Sequence, residues 1–266
     1  MVGAIVSEMR KERSGRGAWR RLRLVPLVLG ALAAAACGGD SERGGEVAAN
    51  GWSPVTEAVS GVPVAELQTA LRARLDGEAA RPAAIGDHAW RRVRQLYDAY
   101  GQAPLFLGAD GLDARARALV AAVTRGEQEA LMLDRYPLAE LHAALRGVRE
   151  GDPTAETLAD ADLMLTATYV AYAEDMLTGQ LDPRQLSESW HIDPNTVDVD
   201  SAVARLLREA RFDQALTRLR PADEGYELLR HELQRYRELV ARGGWQPVPA
   251  GPTLRPGESA PAARLA

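Results

Sequence analysis

The sequence is poor in the residues that usually carry catalysis, and each shortage closes off a class of function. Its one cysteine, Cys37, excludes an intramolecular disulfide. Its four histidines, His88, His142, His191 and His231, stand apart, and none forms the HxxxH or HExxH spacing that sets two imidazoles on one helix face. No serine occupies a Gly-x-Ser-x-Gly turn. The glycine pair in GADGL (108–112) lacks the lysine and the following Ser or Thr of a phosphate loop. The expectation is therefore no catalytic residue, no metal site, no cofactor and no enzyme. Aromatics are only 5% of the chain, so few rings are available to stack on sugars. Trp190 and Trp245 are the candidate glycan or partner contacts, and each also fits a core or hinge aromatic. The longest apolar run, Leu24 to Ala36, has 13 residues and falls short of the ~20 that cross a bilayer as helix.

What is present first is an export signal. Arg10, Lys11, Arg13, Arg16, Arg20, Arg21 and Arg23 precede the apolar run, which ends in Ala34-Ala35-Ala36-Cys37. Small residues before a cysteine resemble a bacterial lipobox, where the leader is cut and the cysteine receives lipid. Residues 1–36 read as a lipoprotein signal peptide and Cys37 as the lipid attachment site, with Met9 an alternative start. The lipobox has alanine where leucine is usual, so a plain signal peptide with an incidental cysteine stays open. Gly38, where an aspartate would favour inner-membrane retention, points to the outer membrane. The full chain has 32 basic and 37 acidic residues; the leader holds 7 and 2 of them, leaving 25 and 35, a net −10. A chain of that sign has no electrostatic reason to bind nucleic acid or anionic lipid, so its membrane contact is the lipid anchor alone.

Residues 37–62, rich in glycine and without apolar period, read as a flexible tether. From residue 63 to 245 the pattern is helical. Val64, Leu67, Leu71 and Leu75 share one face, as do Ala89, Val93, Leu96 and Tyr100, with Gly101 as a stop. Pro104 to Leu107 is short and apolar, an extended segment. Helices follow over Asp113 to Thr124 and Pro137 to Arg146. The longest, Ala155 to Thr178, is capped by Thr154 or Asp152 and is apolar on two faces, so it reads as a strut buried on both. Its Glu174 and Asp175 point about 100° apart and read as a solvated edge. Ser187 to Val199 is a polar connector, and Ser201 to Arg211 is a helix. Asp223 caps a last helix in which Tyr226, Leu229, Leu233, Tyr236 and Val240 recur at steps of three and four. Gly243-Gly244 stops it, and Pro247, Pro249, Pro252, Pro256 and Pro261 make 246–266 a proline-rich tail. The fold class expected is all-α, an irregular helical domain.

Three motifs carry a resemblance to a known family: VRQLYDAYGQAPLFL followed by GADGL, then LTGQLDP, and then GGWQPVPAGPTLRPG. Together they resemble the helical scaffold domain of the large murein L,D-transpeptidases, periplasmic cysteine enzymes that cross-link peptidoglycan. The likeness runs from Val64 to Gly257 and is most specific in the last motif. It implies an exported scaffold that positions a catalytic domain, a glycan or a partner protein. The family's Ser-x-Gly-Cys-x-Arg motif and its upstream histidine are absent, and no cysteine follows Cys37, so no catalytic residue carries over. The expected function is a non-catalytic, periplasm-facing lipoprotein of the bacterial envelope, associated with cross-linking through peptidoglycan or a separate catalytic domain. A stand-alone envelope adaptor working by protein contacts and a truncated transpeptidase reading frame remain alternatives. If Cys37 is the anchor, intact-mass measurement of membrane-extracted protein will show loss of residues 1–36 and a gain of diacylglyceryl mass. A soluble product with an unmodified Cys37 thiol would remove the lipidation reading.

Overall fold

The computed structural model describes residues 53–77, 81–186, 193, 196–245, 247, 250, 251, 253 and 255–257. The leader, Cys37, Trp190 and most of the 246–266 tail lie outside these. Among the described residues nine α-helices form: α1 Val64–Asp76, α2 Asp87–Ala99, α3 Ala114–Thr124, α4 Leu138–Glu150, α5 Ala155–Thr178, α6 Pro183–Leu186, α7 Val199–Leu207, α8 Phe212–Thr217 and α9 Glu224–Ala241. Two short hairpins, β1 Ala58–Val59 with β2 Val62–Pro63 and β3 Leu107–Gly108 with β4 Gly111–Leu112, are the strands. The all-α, irregular architecture is thus the one that forms. None of these helices is long and apolar enough to cross a membrane.

Helix α5 is the strut. A Thr154–Thr157 capping box starts it, and the chain leaves it at Gly179, whose φ of 86° suits a residue without Cβ. Fourteen of its 24 residues are buried, so it is enclosed on both faces as its sequence implies. Helices α1, α2, α3, α4 and α7 all pack on it. Tyr169 is fully buried; its ring meets Phe106 and Phe212 edge-on or tilted at 5.6 and 5.5 Å, and its hydroxyl donates to the Val203 carbonyl at 2.7 Å.

The extended segment before β3 is the hardest part of the chain to bury. Leu105, Phe106 and Leu107 are almost wholly enclosed, yet their backbone belongs to no helix and only Leu107 to a strand. Buried amides need partners. The Leu105 and Phe106 N–H groups both donate to the Asp162 carboxylate of α5, at 2.9 and 2.7 Å. Tyr97 of α2 donates its hydroxyl to the same carboxylate at 2.7 Å. On the other side, the Arg115 guanidinium reaches the carbonyls of Leu105 (2.5 Å) and Leu207 (3.2 Å) while paired with Asp113 at 2.7 Å. Two charged side chains therefore do for this segment what a neighbouring strand would do in a sheet.

Two boundaries and one acid pair differ from the pattern-based reading. The tether assigned to 37–62 is shorter, because β1 and β2 already belong to the fold. Val59 is fully buried, Ser60 and Gly61 turn with φ of 48° and 82°, and the Ser60 N–H donates to Ala109 at 2.7 Å. Val55 and Val62 pack on the core as well, but strands of two residues have no alternation to detect. The helix assigned to Ser201–Arg211 instead spans Val199–Leu207, and after Arg208–Arg211 a separate helix, α8, begins at Phe212, whose ring turns into the core. The acid pair on α5 is not a solvated edge. Glu174 pairs with Arg92 at 2.8 Å, and Asp175 accepts from Tyr136 at 2.6 Å and Gln180 at 2.7 Å. The two diverge as helix geometry requires, but each meets a partner from another element.

Burial raises the Asp162 carboxyl to about 6, against hydrogen bonds from Leu105, Tyr97 and Phe106 that pull it down. The folded value exceeds that of the unfolded chain, so between about pH 4 and 6 the folded state holds a proton the unfolded state has released. This group's contribution to stability therefore grows as pH falls through that window and is level above it. Asp162→Asn keeps the volume but offers a single acceptor and turns an N–H₂ toward backbone donors. Urea denaturation should show a loss of about 2–4 kcal/mol at pH 7, the scale of orphaned buried donors. The mutant should also lack the pH 4–6 component that Asp162 supplies. A loss below about 0.5 kcal/mol would show that the segment is held otherwise.

Candidate functional site

Helix α9 departs most from its sequence pattern. The Asp223 carboxylate caps it by accepting from Gly225 N–H at 2.7 Å, and Gly243 and Gly244, both at positive φ, end it. None of its 18 residues is buried. The seam of Tyr226, Leu229, Leu233, Tyr236 and Val240 is split lengthwise. Tyr226 and Leu233 are half-buried against the body, whereas Leu229, Tyr236 and Val240 are 72%, 48% and 68% exposed. At 100° per residue, the side bearing Tyr226, Arg230, Leu233 and Arg237 faces the body, and the exposed apolar side is turned roughly 70° from it.

Polar contacts set that orientation. A short 3-10 turn, Gly126–Glu129, carries Glu129 with its side chain 3% exposed. Arg220, just before α9, pairs with Glu129 Oε1 at 2.6 Å, and Arg230 of α9 pairs with Oε2 at 2.7 Å. The Tyr226 hydroxyl donates to the same Oε2 at 2.9 Å. Partial burial, then the hydrogen bond and charge of Glu129, push this phenol up to about 12. Two turns beyond Arg230, Arg237 donates to the Glu127 carbonyl. Ala130, at φ 60°, closes the turn that presents the carboxylate. One carboxylate thus gathers both sides of the α8–α9 joint.

Trp245 follows directly. It is 68% exposed, and its ring meets Tyr236 at 5.6 Å with an interplanar angle of 59°. Leu228, also 61% exposed, lies about 80° round the helix from Tyr236, with Glu232 between them. Trp245 is therefore a surface aromatic, neither in the core nor at a buried hinge. Trp190 and Cys37, the other assigned site residues, lie outside the described residues. Pattern reasoning missed Glu129, which sits in a connector without apolar period.

A second concavity, a groove of about 870 Å³, lies between α1, α4 and α5. Ala73, Ala143, Ala144, Gly147 and Met164 line it beside the Arg74–Asp160 ion pair at 2.6 Å. It lacks aromatics and histidines. Among the described residues no group of three or more His, Cys, Asp or Glu is placed to hold a metal ion.

The Glu129 contacts give a local test. Glu129→Gln removes the charge that gathers Arg220, Arg230 and Tyr226. Hydrogen exchange across Glu224–Ala241 should accelerate about tenfold or more, the equivalent of a lost charge-assisted hydrogen bond. Amides of α5 should be unaffected. Equal acceleration in both helices, or none in α9, would contradict this polar attachment.

Comparison with known proteins bears on residues 91–233, which match the family model described as "Scaffold domain". The match runs from the first turns of α2 to the middle of α9 and stops short of Gly243-Gly244-Trp245. No curated protein matches the chain, and no solved structure does. The matched region holds the α5 strut, the Asp162 contacts and the Glu129 joint, and it is more than half of the chain, which belongs to the Scaffold domain family.

Proposed function

We propose that this chain is a non-catalytic scaffold of an L,D-transpeptidase-like envelope lipoprotein, associated with peptidoglycan cross-linking. It is anchored through Cys37 in the bacterial envelope, faces the periplasm, and acts by binding. The observation that carries the reading is the α9 face: Leu229, Tyr236, Val240 and Trp245 stand exposed on a helix whose orientation is set by the Glu129 contacts. A soluble domain does not ordinarily leave a contiguous face of this kind without a use. Membership of the Scaffold domain family supports a positioning role. The motif GGWQPVPAGP, whose tryptophan lies on that face, supports the link to the transpeptidases. Candidate partners are peptidoglycan and a separate catalytic domain.

Acyl transfer by the cysteine route needs a thiolate beside a histidine, and the only thiol is Cys37. Purified protein should therefore neither join nor cut stem peptides, and a carbapenem should leave its mass unchanged. Isolated sacculi should retain it, and Tyr236→Ala with Trp245→Ala should reduce retention about tenfold, the scale of an aromatic hot spot. A covalent acyl adduct on residues 38–266 would overturn the non-catalytic reading. Retention that survives both substitutions would remove α9 as the contact face. Loss of sacculus retention together with capture of a defined envelope protein would favour the stand-alone adaptor.

A further inference from the structure

We infer that the pocket between α3 and α8 binds the free carboxylate at the end of a short peptide. Arg125 and the Tyr172 hydroxyl take the carboxylate, and Thr217 takes the amide N–H that precedes it. This goes beyond the scaffold reading. None of the exposed α9 side chains lines the pocket, which shares only Glu129 and Arg220 with the α9 joint.

Buried polar groups are almost always paired, and the Tyr172 hydroxyl is an exception. Tyr172 of α5 is 5% exposed, yet its hydroxyl makes no hydrogen bond among the described residues. The other buried tyrosines each have a partner: Tyr97 in Asp162, Tyr136 in Asp175 and Tyr169 in the Val203 carbonyl. Tyr172 instead lines a pocket of about 210 Å³, within electrostatic reach of Glu129, Arg220 and Arg125. Burial, then the Glu129 charge, raises this phenol above its ordinary value against the pull of the two arginines. The hydroxyl therefore keeps its proton and can donate.

Arg125, at the end of α3, supplies the charge. It meets no carboxylate among the described residues, whereas Arg220 is already paired with Glu129 at 2.6 Å. Glu129 is further balanced by Arg230, and Asp213 has Arg211 at 3.9 Å. Arg125 is thus the local excess charge, and a single anionic group balances it. A carboxylate matches the fork of a guanidinium with two parallel hydrogen bonds.

The remaining groups choose among anions. A phosphate carries up to two charges, brings no N–H, and would face both Asp213 and Glu129 here. A peptide terminus carries one charge and an amide N–H close by. The Thr217 hydroxyl donates to the Asp213 carbonyl at 3.1 Å, which leaves its oxygen free to accept that N–H. Ala118, Ala121, Ala122 and Leu216 make the apolar part of the wall, suited to a small side chain. The volume is below the ~300 Å³ at which drug-sized ligands begin to fit, so it takes a terminal residue rather than a length of chain.

Isothermal titration calorimetry of the purified full chain in detergent tests this. The probes are N-acetyl-alanyl-alanine in the L and D series, the C-terminal amides of both, acetate and inorganic phosphate. At least one dipeptide should bind, its amide should not, and acetate and phosphate should bind about tenfold more weakly or less. Arg125→Gln and Tyr172→Phe should each weaken the dipeptide about tenfold, the scale of a hydrogen bond to a charged group. Tyr172→Phe should leave the thermal midpoint where it is, because the hydroxyl bonds nothing in the fold. A lowered midpoint would return that hydroxyl to a structural role and overturn its assignment to a ligand. No binding of either dipeptide, equal binding of the amide, or affinity that survives both substitutions would overturn the carboxylate site. Acetate or phosphate binding as tightly as the dipeptide would give the pocket to small free anions and overturn peptide recognition. Tyr236→Ala with Trp245→Ala should leave dipeptide affinity unchanged, so this pocket and sacculus retention by α9 fail separately.

Discussion

The fold depends on one buried carboxylate. Asp162 lies two turns into α5 with no exposure, and it accepts from two backbone N–H groups of the segment before β3 and from the Tyr97 hydroxyl of α2. Without it, Leu105 and Phe106 would carry unpaired amides into the core, at a cost comparable to a large share of a domain's net stability. With it, Phe106 can sit beside Tyr169 and Phe212, and those rings tie the hairpin region to α5 and α8. Arg115 completes the arrangement by taking the opposite backbone edge. A non-helical stretch is thus kept inside a helical protein largely by side chains, with one backbone bond, from Asp113 N–H to the Phe106 carbonyl at 3.1 Å, beside them.

The same device recurs at the surface with a different outcome. Glu129 is as enclosed as a core residue, but the groups it gathers are Arg220 and two side chains of a helix none of whose residues is fully buried. Burial of apolar area is non-directional and would have turned the Leu229–Tyr236–Val240 side inward. Directional ion pairs instead hold α9 by its polar edge and leave the apolar side outward, continuous with Trp245. That combination, a body fixed by an internal carboxylate and a helix displayed by an external one, suits a protein that works by presenting a surface.

Where the sequence was periodic, it was legible. The limits of α5, its Thr154 cap, its two buried faces and its exit at Gly179 all follow from residue spacing and cap chemistry, because these are local properties of a helix. The stop of α2 at Gly101 and the cap at Asp223 are legible for the same reason. Asp162 and Glu129 were not, since an acidic residue in an apolar helix or in a loop looks the same whether it is solvated or enclosed. Its partners lie 56 to 65 residues away for Asp162 and 97 away for the Tyr226 contact of Glu129. The short β1–β2 hairpin escaped notice because a two-residue strand has no alternation to read.

By itself, the sequence determined the helical class, the dominance of α5, the scarcity of nucleophiles and metal ligands, and the apolar stripe on the last helix. These are matters of composition and of contacts within a few residues. Only the tertiary structure decided which way that stripe faces. Periodicity says that a helix has an apolar side, but the direction of that side is set by long-range pairing, here of Arg220, Arg230 and Tyr226 with Glu129. The stripe that is continuous in sequence is split in the fold, with Tyr226 and Leu233 against the body and Leu229, Tyr236 and Val240 outward, because directional polar contacts fix which edge of α9 meets the body.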